Sequence, residues 1–118
     1  MKKKNKSLPG NYLEYVPRHN DSIKYETDAN GAVTILKENS GFFHMIARNL
    51  FKKPRISYIH LDEMGNFIWP LINGRRTVYD ISMLVSEEFG QKAEPLYNRL
   101  IQYLINLETY GFIEIHSL

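Results

Sequence analysis

Few side chains of this chain stand where catalysis would need them. The nearest pair with metal-ligand character is His60 and Asp62. Structural zinc sites use four protein ligands and catalytic ones three, and His19, His44 and His116 are scattered with no ligand spacing. Asp62 is better explained as a helix cap, since it ends a strand pattern and opens an apolar segment. The chain has no cysteine, which removes thiolate ligands, cysteine nucleophiles and disulfides together. It also has no Gly-rich phosphate loop, serine nucleophile elbow or paired-carboxylate motif. The expectation is a protein that is not an enzyme, with no metal and no cofactor.

Recognition through the backbone needs no such motif. A peptide that adds to a sheet requires an open strand edge and an apolar wall for its side chains. The run Ile56-Ser57-Tyr58-Ile59-His60-Leu61 is free of proline and glycine, so its ladder can be complete. Ile59 and Leu61 share one face, and Ile56, Tyr58 and His60 the other. At a sheet edge this strand is a template for pairing; the alternative is an ordinary interior strand. The last helix offers the wall. At about 100° per residue, Leu96, Leu100, Tyr103, Leu104 and Leu107 form one apolar stripe, and Tyr97, Ile101 and Ile105 a second beside it. One core needs an apolar arc of only about 100° or somewhat more. The second stripe therefore meets either an outside partner or another part of this chain, the Phe42–Phe51 helix or the C-terminal strand.

The elements that position these residues can be read in order. Residues 1–11 are expected as a flexible basic tail and 12–118 as one folded domain, with Tyr12–Val16 docking on the body. Ile23–Thr27 and Ala32–Lys37 alternate as strands around Asp28-Ala29-Asn30-Gly31, whose Asn-Gly pair favours a hairpin turn with positive φ. Apolar residues at 43, 46, 47 and 50 predict a helix over Phe42–Lys52, ended by Lys53-Pro54. The strand Ile56–Leu61 follows. A helix after Asp62 carries Phe67 and Trp69 into the core and stops at Asn73-Gly74, with Pro70 expected to kink or restart it. Thr77 and Asp80 form a capping-box variant that starts a helix to about Phe89, stopped by Gly90. The last helix has Pro95 in its first turn and ends near Tyr110-Gly111, and Phe112–His116 alternates as a short closing strand.

Charge narrows the function further. The 118 residues carry 15 basic and 13 acidic side chains, a net +2. Four of the basic ones, Lys2, Lys3, Lys4 and Lys6, sit in the tail, leaving 11 against 13 and a body of about −2. Such a body has no general attraction for nucleic-acid phosphates. Residues 94–110 hold Arg99 as their only base against Glu94 and Glu108, which makes a poor DNA-reading helix. The densest basic group, Arg48, Lys52, Lys53 and Arg55, reads as a solvated face, the alternative being a patch that attracts an acidic peptide or partner. No apolar stretch approaches a membrane span, and the lysines are not followed by a signal-peptide core. A cytoplasmic protein with neither a nucleic-acid nor a membrane partner is expected.

Several residues then match a family pattern. Leu61-Asp-Glu-x-Gly65-x-Phe-Ile-Trp69, Leu71-Ile-Asn-Gly74-x-Arg-Thr-Val-x-x-Ile81, Glu87-Glu-Phe-Gly90, and Arg99-Leu with Leu104-x-x-Leu107-x-x-x-Gly111-Phe-Ile113 together resemble the PqqD-like family over about residues 18–113. The resemblance implies an α+β, winged-helix-like fold: a small antiparallel β-sheet followed by a three-helix bundle, here with an extra helix before the third strand. It implies a non-catalytic peptide chaperone, the recognition element of a ribosomal peptide pathway. The leader of a precursor peptide would add beside the third strand against the last helix and be presented to a modifying enzyme, often a radical SAM enzyme. The peptide site would then comprise Ile56, Ser57, Tyr58, Ile59, His60 and Leu61, with Tyr97, Ile101 and Ile105 holding apolar side chains and Arg99 or Gln102 at the rim. The alternatives are a winged-helix DNA-binding regulator and a domain that self-associates through the same edge.

Overall fold

The computed structural model describes residues 12–39 and 55–116. They form an α+β fold with two small antiparallel sheets and three α-helices. The strands are β1 (Val16–His19), β2 (Lys24–Thr27), β3 (Val33–Asn39), β4 (Arg55–His60) and β5 (Ile113–His116), and the helices are α1 (Glu63–Ile68), α2 (Val78–Phe89) and α3 (Leu96–Thr109). The expected basic tail and Phe42–Lys52 helix lie outside the described residues. Two compact units divide the chain, Ser22–Asn66 on one side and Met1–Asp21 with Phe67–Leu118 on the other.

The first unit holds a sheet of order β2-β3-β4. The hairpin joining β2 and β3 forms where the Asn-Gly signal placed it, with a specific geometry. Gly31 alone takes a positive φ (86°), and Asn30 does not. The Gly31 N–H donates to the Asp28 carbonyl, and Asp28 Oδ1 accepts from the N–H groups of Asn30 and Ala32 at 2.8 and 2.9 Å. An aspartate turn followed by a left-handed glycine thus makes a three-residue loop, rather than the two-residue turn in which both central residues are left-handed. β4 then pairs antiparallel with β3, Ile59 opposite Ile35 and Tyr58 opposite Leu36.

The second unit contains a strand that the sequence pattern did not announce. Tyr12–Glu14 is a 3-10 turn, and β1 follows it to pair with β5, Pro17 opposite Ile115 and Arg18 opposite Glu114. A proline within a strand is unusual, because it cannot donate to a ladder. The register shows why Pro17 is tolerated here. The Asn20 N–H donates to the Phe112 carbonyl, so alternate residues Arg18 and Val16 face β5. Pro17 faces the other way, where its carbonyl accepts from the Gly74 N–H at 3.0 Å and no donor is missed. Gly74 itself sits at φ 80°, with the Arg18 side chain 3.4 Å from where a Cβ would lie.

Pro70 acts as expected. α1 ends at Ile68 and the chain tightens into a 3-10 turn over Trp69–Leu71 with proline at its start, where no N–H is needed. The α2 capping box is present in both directions: Thr77 Oγ1 accepts from the Asp80 N–H, and Asp80 Oδ2 accepts from the Thr77 N–H, each at 3.0 Å. Pro95 occupies the cap position of α3 rather than its first turn, and Gly111 (φ 83°) closes the helix. Trp69, Ile81, Val85, Leu100 and Leu104 are fully buried in this unit.

Candidate peptide-binding edge

The sheet of the first unit ends at β4, and among the described residues no strand pairs with its outer edge. Which backbone groups face outward follows from one hydrogen bond and the register. The Leu61 N–H donates to the Val33 carbonyl at 3.3 Å. Residues opposite each other in an antiparallel pair alternate between exchanging hydrogen bonds and turning away. Leu61, Ile59 and Ser57 therefore direct their backbone groups at β3, while Ile56, Tyr58 and His60 direct theirs at the open edge. The same parity holds on the other side of β3, where the Asp28 N–H to Ala32 carbonyl bond sets Glu26–Thr34 and Lys24–Leu36 as the bonded pairs.

Of the six strand residues expected to bind, three thus present N–H and C=O groups outward and three are committed to the sheet. The outward three are also exposed: Ile56 at 42% and Tyr58 at 63%. His60 is exposed too, and its Nδ1 lies 3.1 Å from Thr34 Oγ1 across the strand pair. Leu61 falls just past the end of β4. Asp62 then caps the following turn, its Oδ1 accepting from the Gly65 N–H at 2.8 Å and its carbonyl from the Asn66 N–H. That commits one carboxylate oxygen to a backbone donor, and no group of three or more potential metal ligands occurs among the described residues.

The α3 residues belong to the other unit and differ from one another. Tyr97 is exposed at 46%, Ile105 is half-buried and Ile101 is buried, so the second apolar stripe is partly covered within the chain. Arg99, the only base of α3, donates Nη1 to the Lys92 carbonyl at 2.7 Å, and Gln102 Nε2 donates to Asn106 Oδ1 at 3.1 Å. Both polar side chains are exposed and locally engaged.

The strongest electrostatic perturbations belong to residues of the other unit. The His19 ring stacks on Trp69 with centroids 4.0 Å apart, and its Nε2 lies 2.9 Å from the Trp69 carbonyl, which makes that nitrogen the donor. Burial lowers the His19 pKa, and the bond to the carbonyl opposes the shift. Burial, then the Glu108 carboxylate, push the Tyr12 phenol well above its ordinary value. Sequence reasoning missed a further feature. Tyr79 and Met83 are exposed together on α2, one turn apart, off the buried line of Val78, Ile81, Ser82 and Val85.

The arrangement is that of a small α+β protein in which, among the described residues, β4 ends its sheet without a further strand beside it. The chain belongs to the PqqD family; the model of coenzyme PQQ synthesis protein D matches residues 50–113, just over half of its length. The match opens before β4 and runs through α3 to the first residue of β5, leaving the β2–β3 hairpin outside it. The family is one of non-catalytic accessory proteins with peptide and enzyme partners in PQQ synthesis. No curated protein and no solved structure matches the chain. Among the described residues no helix is long and apolar enough to cross a membrane.

Proposed function

We propose that this protein is a non-catalytic peptide chaperone. It takes the leader of a ribosomally made precursor as an added strand on the outer edge of β4 and presents it to a modifying enzyme of the radical SAM type. The observation that carries the reading is the register: Ile56, Tyr58 and His60 turn backbone donors and acceptors to an edge that no described strand occupies. An extended peptide satisfies those groups in the way a sheet neighbour would, and its alternate side chains meet the exposed Ile56 and Tyr58. Family membership supports the same role. The α3 surface, with Tyr97, Ile101 and Ile105 as apolar contacts and Arg99 and Gln102 at its rim, is a separate part of the proposal. It is tested on its own by Tyr97→Ala.

The test is a titration of the isotope-labelled protein with the leader of a short peptide encoded beside it. Amide shifts and new exchange protection are expected at Ile56, Tyr58 and His60. Shifts confined to the Lys52–Arg55 region would refute the edge assignment. A complex whose size rises with protein concentration in the absence of peptide would give the edge to a second copy of the chain.

A further inference from the structure

We infer that the surface made by the Tyr12–Glu14 turn and α2 is a second docking site, and that its partner is a basic amphipathic protein segment. Leu13, Glu14, Thr77 and Tyr79 line an open groove of about 400 Å³. The turn is held to the helix start by the Val78 N–H, which donates to the Tyr15 carbonyl at 2.8 Å, so the two walls are fixed to each other. Tyr79 is exposed at 47% and Met83 at 46%. At about 100° per residue these two side chains lie in neighbouring positions on one helix face. Aromatic and methionine side chains are the types enriched at the buried centres of protein interfaces.

Charge selects the partner. The turn carries Glu14 and no base, and α2 carries Asp80, Glu87 and Glu88 and no base. Glu14 lines the groove itself, and the helical period places Asp80 and Glu87 along one flank of the Tyr79–Met83 line. Asp80 Oδ2 accepts from the Thr77 N–H at 3.0 Å. The nearest bases in sequence, Arg75 and Arg76, precede the cap, and Arg76 Nη1 is turned to the Leu71 carbonyl at 3.3 Å. An apolar centre with an acidic flank complements a segment that carries leucine-like residues on one face and lysine or arginine beside them. The site belongs to a different unit from β4 and does not depend on whether β4 takes a peptide.

The test uses the full-length protein and two synthetic amphipathic peptides of one pattern, leucine with lysine and leucine with glutamate. The lysine peptide is expected to bind and to shift the amides of Leu13, Glu14, Tyr79 and Met83, with affinity that falls as salt is raised. Tyr79→Ser, an exposed change, is expected to weaken it about tenfold, and Glu14→Lys several-fold. Equal binding of the glutamate peptide, shifts that map to β4, or unchanged affinity in both variants would each overturn the inference. So would groove amides that move, without any peptide, when Lys2, Lys3, Lys4 and Lys6 are all changed to Ser, since the chain's own leader would then be the occupant.

Discussion

A proline placed at position 58 separates backbone recognition from side-chain recognition. The Tyr58 N–H points to the open edge, so Tyr58→Pro removes no ladder bond to β3. Edge strands accept proline when the missing N–H faces outward. One residue on, the same substitution has the opposite consequence. Ile59 lies opposite Ile35, which is fully buried, and Ile59→Pro strips the Ile35 carbonyl of its donor. Leaving a buried acceptor unpaired costs about 1–3 kcal/mol, so Ile59→Pro is a folding defect. For an added peptide, Tyr58→Pro loses one hydrogen bond of about 0.5–1.5 kcal/mol net. The pyrrolidine ring also occupies the approach of the partner carbonyl, so the neighbouring bond weakens as well. The sum is about 1–3 kcal/mol, a five- to 150-fold rise in Kd. Tyr58→Ala is the control that removes the ring and keeps the N–H. The assay is anisotropy of a labelled leader peptide, with circular dichroism as the check on folding. Equal affinity of folded Tyr58→Pro and Tyr58→Ala would refute strand addition at this edge.

Three further outcomes follow from the second unit. Thr77→Ala removes the capping hydroxyl that accepts from the Asp80 N–H and is expected to cost about 1 kcal/mol in urea denaturation. The Tyr12 hydroxyl is buried without a hydrogen-bond partner among the described residues, so Tyr12→Phe is expected to raise stability by about 1 kcal/mol in the same assay. His19 has a folded pKa below its unfolded value of about 6.5, because burial disfavours the imidazolium. Below that pH the unfolded chain binds more protons than the folded one, so stability present above pH 6.5 is lost as pH falls through the folded pKa. The slope of unfolding free energy between pH 7.5 and 5 is expected to be shallower in His19→Gln than in the parent chain.

Side-chain rules carried much of the fold. The Thr77–Asp80 box, Gly90 and Gly111 as stops, Asp62 as a cap and buried Trp69 all rest on interactions within a few residues or on plain apolarity, and each stands where it was expected. β1 was not legible for the converse reason. Its sequence, Val16-Pro17-Arg18-His19, is neither alternating nor proline-free, and what makes it a strand is β5, nearly a hundred residues away. Pro17 is tolerated because of a parity that only the partner sets. The division between Tyr97 and Ile101 was hidden in the same way: both lie on one apolar stripe, and only tertiary packing decides that Ile101 is buried and Tyr97 exposed.

The β4 edge shows why a recognition surface of this kind leaves so faint a mark on a sequence. Every residue but proline owns one donor and one acceptor, so the groups that would bind a peptide are the same at positions 56 to 61. Alternation of side chains tells which faces they share, and Ile56, Tyr58 and His60 were grouped correctly on that ground. Residues that share a face also share an edge, but the pattern alone does not say which set looks outward. Whether the backbone groups of Ile56 or those of Ser57 look outward depends on which of them lies in a bonded pair with β3, and a shift of one residue would exchange them. The Leu61 N–H on the Val33 carbonyl fixes that choice, and the Asp28 turn fixes the parity of β3 against β2. A two-residue turn at Asn30-Gly31 would pair Ala29 with Ala32 and shift β2 against β3 by one residue, leaving the same β3 groups turned to β4. Which residues of the matched strand turn outward therefore rests on the pairing of β4 with β3, and the hairpin outside the family match sets the register of β2 instead.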